Sequence, residues 1–193
     1  GSHRHQHRIA EHRRRRGAAV SIESQLHALN ALGQMKRADL SASDDQPLQR
    51  LADVLLAIQG EDGSWPGLID PVRGQPTAFY PVLTVSQIAT APISMRICQE
   101  VGLEGDFSAA IENGVAWARG GNPLGFDLVH EMEARIDRGI LPRQEPGAVQ
   151  RGISTATRRI RGRLEPPGPS RLILDPSVSS EDLGWVLEAW AGR

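Results

Sequence analysis

The residues equipped for chemistry are spread along this 193-residue sequence, and no intact catalytic motif gathers them. Arg151, Arg158, Arg159, Arg161 and Arg163 form a dense basic stretch. Guanidinium groups at that density can hold phosphate or an acidic sugar through paired hydrogen bonds, or simply form a solvated face. With Tyr80 and Arg96 they would make a polar Tyr80–Arg96–Arg158 surface if the fold brought them together. Gln87 can contact a ligand or close a capping box, Thr84-Val-Ser-Gln87, at a helix start. His130 and Glu131 are a possible acid–base pair. They do not make the H-E-x-x-H zinc motif, because Ala134 stands where the second His belongs. Asp44 and Asp45 suggest an acid pair, but Asp45 before Pro47 also reads as a helix N-cap. Gly120-Gly121 lacks the glycine spacing and the Lys-Ser/Thr ending of a phosphate loop.

Composition narrows the classes. The formal net charge is −1, which argues against a nucleic-acid binder as a whole. Cys98 is the only cysteine, so there is neither a disulfide framework nor a thiolate metal site, and it reads as a small core residue. No cofactor and no metal are implied. No apolar run reaches the ~18–20 residues of a transmembrane helix, and no signal-peptide core is present, which points to the cytoplasm. Residues 1–16 carry six Arg and one Glu, net +5, with four His, and leave −6 for the remainder. Residues 1–17 are therefore expected to be a basic, disordered tail that can touch RNA or anionic lipid, and residues 18–193 one domain.

The elements that must position these groups are mostly helical. Apolar periodicity and caps give helices over 18–38, 47–59, 85–101, 106–119, 147–163 and 180–190. His27 falls one step off the apolar stripe of the first and reads as a surface histidine. Pro92 should bend the third. The last is expected to open on the capping box Ser179-Ser-Glu-Asp182 and to bury Leu183, Val186, Leu187 and Trp190. The segment 61–82 reads as a long loop whose 70–74 stretch is a hairpin tip, and alternation over 129–136 suggests a short strand. At the end of the second helix, Gln59, Gly63 and Trp65 read as a clasp. Gly63 permits a turn with positive φ, the Gln amide bonds the carbonyls of the helix end, and Trp65 folds back over the turn.

Gln59-x3-Gly63-x-Trp65 after Leu55 resembles the QW repeat of triterpene cyclases. A weaker copy is Gly114-Val-Ala-Trp117 with Asn122 and Gly125, where Asp127 replaces the Trp. Residues 79–125 and Leu183-Gly-Trp185 resemble a group of bacterial toroid proteins encoded among polysaccharide-synthesis genes. Their usual His before the Gln is Ser86 here. The resemblance implies a mainly α fold, antiparallel helical hairpins forming part of an α/α toroid with short β pieces in long loops. It implies a module that binds or processes a polyprenyl-linked or polysaccharide substrate in envelope synthesis, with Trp65, Tyr80, Gln87, Arg96 and Arg158 as the candidate substrate-binding residues. The alternative is a non-catalytic helical scaffold or partner-binding remnant. Neither D-D-x-x-D nor D-x-D-D is intact around Asp44-Asp45, so no terpene cyclisation is expected. Too few hairpins are present to close a ring, so self-association, or membership of a longer chain, is expected.

Overall fold

Helices form over most of the expected segments among the described residues, although Val20–Ser21 of the first is a strand and only the helices starting at Ile22 and Phe107 close a side-chain cap. The computed structural model describes residues 19–39, 45–143, 158–160 and 163–191. The basic tail, Asp44 and the stretch 147–157 lie outside the described residues. Helix α1 spans Ile22–Arg37 and is capped by Ser21, whose Oγ accepts from the Ser24 N–H at 3.2 Å. Helix α2 spans Gln46–Ala57. Asp45 precedes it without a side-chain cap bond and instead pairs with Lys36 at 2.5 Å. A π-helical turn at Ser86–Thr90 leads into α3, Ala91–Glu100. Helix α4 spans Phe107–Ala118, with Asp106 accepting from the Ala109 N–H at 3.1 Å. Helix α5 spans Ser180–Trp190.

Strands fill the intervals. β1 (Val20–Ser21), β2 (Leu68–Asp70) and β3 (Gln75–Ala78) form one antiparallel sheet in that order. The expected hairpin tip follows Asp70, whose Oδ1 accepts from the N–H groups of Val72 and Arg73. β4 (Val82–Leu83) pairs with β7 (Gly139–Pro142), which pairs with β10 (Leu172–Asp175). β5 (Val129–His130) and β6 (Arg135–Ile136) form a small hairpin, and β8 (Arg158–Ile160) pairs with β9 (Arg163–Glu165).

These strands correct the expected mainly α partial toroid. Helix and antiparallel sheet are mixed, because strand residues share buried clusters with helix residues. Leu26, Leu29, Leu55, Trp65, Met95 and Phe107 pack α1 to α4 together. Tyr80, Val82, Ile140 and Leu172 from the β4–β7–β10 sheet region pack on Ile88 and Trp117. The C-terminal part of the basic helix expected over 147–163 is also corrected, since 158–160 pairs with 163–165 as a hairpin. The backbone polar groups there are satisfied across strands rather than along a helix.

The clasp forms with one partner changed: the Trp65 indole, not the Gln59 amide, bonds a carbonyl of the α2 end. Gly63 has φ 88°, Gln59 Nε2 donates to the Gly63 carbonyl at 2.9 Å and to the Ala110 carbonyl at 2.8 Å, and the Trp65 indole N–H donates to the Leu55 carbonyl at 3.0 Å. It therefore joins α2 to α4. The weaker copy is built alike. Gly125 has φ 68°, and Asn122 Nδ2 donates to the Trp117 carbonyl at 2.9 Å and the Phe126 carbonyl at 2.7 Å. Among the described residues no helix is long and apolar enough to cross a membrane.

Candidate ligand-binding cleft

Pro92 determines how the last helix docks. It has no N–H, so the preceding turn cannot close with ordinary i→i−4 bonds throughout. The chain widens into the π turn, where the Ala91 N–H reaches the Ser86 carbonyl five residues back. In an α-helix the Ile88 carbonyl would accept from residue 92. Here the Trp190 indole N–H fills that vacancy at 2.7 Å. Arg96 donates to the Ala189 carbonyl at 2.7 Å, and its guanidinium lies 4.4 Å from the centre of the Trp190 ring. Val85, Ala89 and Ala189 bury the contact between α5 and the π turn.

This docking leaves the start of α5 facing the start of α1. Between them lies a cleft of about 280 Å³, with Glu23 and His27 on one wall and Glu181, Asp182 and Trp185 on the other. Arg138 and Thr90 also line it. The volume is at the lower end of small-molecule sites, about 300–1,000 Å³, and suits one ring-sized group. The Trp185 and His27 rings are 5.0 Å apart between centroids and tilted by 46°. Glu23 is tied to the π turn by the Ser86 hydroxyl, which donates to Oε1 at 3.4 Å. Ser86 occupies the place where the resembled proteins carry His.

The electrostatics of the cleft are uneven. Burial raises the Asp182 carboxyl above its ordinary range, Arg138 pulls it back down, and Glu181 pushes it up again. In β10 the Ser177 hydrogen bonds and Arg138 hold Asp175 below its usual range despite some desolvation. Thr90 is 3% exposed, and its hydroxyl has no hydrogen-bond partner. The Ser179 side chain makes no cap bond to α5, so the expected capping box does not close, and Ser179 lines the cleft instead. Among the described residues no cluster of three or more metal-ligating side chains is assembled.

The residues expected to bind substrate are dispersed. Trp65 and Gln87 are both fully buried, and the Trp65 backbone N–H donates to Gln87 Oε1 at 3.3 Å. Gln87 thus braces the clasp rather than the Thr84 cap. Tyr80 is buried in the second core cluster, where desolvation and the nearby Asp62 charge hold its hydroxyl protonated well above the ordinary range. Arg96 serves the α3–α5 contact, and Arg158 opens β8. His130 and Glu131 diverge. His130 Nε2 meets the buried Asp137 carboxylate at 2.8 Å, while Glu131 pairs with Arg119. The chain leaves β5 at His130 and enters a 3₁₀ turn at Glu131, so the two side chains part there.

Sequence reasoning did not connect Glu23, Thr90, Arg138, Glu181, Asp182 and Trp185. The available signal was the scarcity of aromatics, 4% of residues, which makes each Trp a placed residue. What it lacked was the long-range docking of α5 on α1. No known family model matches the chain, and no curated protein or solved structure matches it either.

Proposed function

We propose that the chain is a saccharide-binding module serving envelope polysaccharide synthesis in the cytoplasm, with one sugar unit of a polysaccharide or polyprenyl-linked substrate seated in the cleft between α1 and α5. The observation that carries this reading is the pairing of an accessible indole, Trp185, with carboxylates on both walls. A pyranose has an apolar face of ring C–H groups that packs on an aromatic ring, and a rim of hydroxyls that donate to carboxylates. A ring-sized cleft with both features suits that amphipathic shape better than it suits an apolar chain. Calorimetric titration with short oligosaccharides tests it. Millimolar or tighter binding that Trp185→Ala weakens at least about tenfold, some 1.4 kcal/mol, is expected. Equal binding by the variant would reject it.

A second reading, a non-catalytic partner-binding scaffold that self-associates, is favoured by the outer face of α5. Leu187 there is 68% exposed. Sedimentation velocity at several concentrations distinguishes the two. Association abolished by Leu187→Glu would favour the scaffold, and a concentration-independent monomer would remove it.

A further inference from the structure

The charge of the cleft is not that of a neutral-sugar site. Glu23, Glu181 and Asp182 line it against one cation, Arg138. Among the described residues none of the three carboxylates closes a salt bridge, since Arg138 acts on Asp182 only at longer range. Helix α1 begins beside Glu23 and α5 beside Glu181. Each N-terminus contributes roughly half a positive charge, screened within the first turn. Even with both counted, three carboxylates exceed the positive charge of Arg138 and the two helix ends while the His27 imidazole on the same wall is neutral. Ser21 already accepts from one N–H of the α1 terminus. An anionic ligand would therefore meet net repulsion, while a cation would gain partners on both walls.

A second observation, independent of the acids, points to a ligand. Thr90 lines the cleft, and its hydroxyl is buried behind that wall with neither donor nor acceptor within reach. An unpaired buried hydroxyl is costly unless something supplies its partner. Trp185 adds an aromatic face, which attracts an ammonium as well as a sugar ring.

We propose that this cleft selects a sugar unit bearing a free ammonium group, an amino sugar, over its N-acetylated or acidic counterparts. The proposal rests on the saccharide-binding reading above. The ammonium sits among Glu23, Glu181 and Asp182, the ring lies on Trp185, and a ring hydroxyl reaches Thr90. N-acetylation removes the charge and adds bulk in a cleft of this size. A uronic acid places a fourth carboxylate beside three.

The test is a calorimetric titration of the full chain with three tetrasaccharides: β-1,4-linked glucosamine, its fully N-acetylated form, and an oligoglucuronate. The glucosamine tetramer should bind at least about fivefold more tightly than the acetylated one at low salt, the scale of one partly exposed ion pair. That preference should shrink at high salt and vanish in Glu181→Gln, an exposed position where the fold is not at stake. Equal binding of the amine and acetyl forms, or tighter binding of the glucuronate, would overturn the proposal and leave the saccharide reading standing. Binding by none of the three would overturn both. Spermidine binding as tightly as the glucosamine tetramer would show that the ammonium alone is recognised, and would overturn the sugar assignment.

Discussion

At the scale of single residues, the chain relies on a few side chains that close two elements at once. Trp65 is fully buried and bonds the Leu55 carbonyl, while its backbone N–H is taken by Gln87. Trp65→Ala should cost ~3–5 kcal/mol in denaturant melts, and a loss within error of zero would contradict the clasp. Gly114→Ala should destabilise as well. A helical Gly→Ala change gains up to about 1 kcal/mol in propensity, but the new Cβ would lie 2.7 Å from Trp65 Cζ3 and 3.1 Å from the Gln87 carbonyl. Cys98 shows the same environment through its proton. Burial pushes its thiol up to about 11. The folded state keeps a proton that the unfolded chain releases above about pH 8.5, so this stability is intact below that pH and is lost as pH rises toward 11. Urea melts from pH 8 to 11 should show the decline, with a shallower slope in Cys98→Ala. An unchanged slope would mean that Cys98 titrates freely.

At the scale of elements, local chemistry was legible and rotation was not. Asp106 caps its own helix, and Gly63 and Trp65 close the turn after α2 as their types suggest, whereas the Ser21 cap was not read, because residues 18–21 looked like helix, and Gln59 reaches Ala110, 51 residues away. Ser179 looks like the same kind of cap, yet it makes no side-chain bond to its helix. The pair gives a direct comparison. Ser21→Ala should lower stability by ~1 kcal/mol, whereas Ser179→Ala should change it by only a few tenths, both read by thermal or denaturant melts. Equal losses would contradict the docking of α5. The buried face of α5 was also misread for a physical reason. Leu183, Trp185, Val186, Leu187, Ala189 and Trp190 place apolar groups nearly all round the helix, so periodicity selects no side. Ala189 is buried on the π turn, and Leu187 faces outward. Pro92 announced a bend from sequence. That Trp190, 102 residues away, would supply the donor missing at Ile88 could not be read there.

At the scale of the whole molecule, the sheets are what the sequence hid. β4, β7 and β10 come from widely separated segments, and their strands are two to four residues long. Such short pieces leave too few residues for period two to emerge, and pairing across a long separation leaves no local mark. The cleft inherits that invisibility, since its walls meet only because the β4–π-turn segment holds α5 against α1. The most direct test of the account is an NMR titration of labelled protein with the glucosamine tetramer. The account predicts shifts on both walls at once, at the Trp185 indole and at the Ser24 and His27 amides, with Leu187 unmoved. Shifts confined to the outer face around Leu187, or none at all, would contradict it.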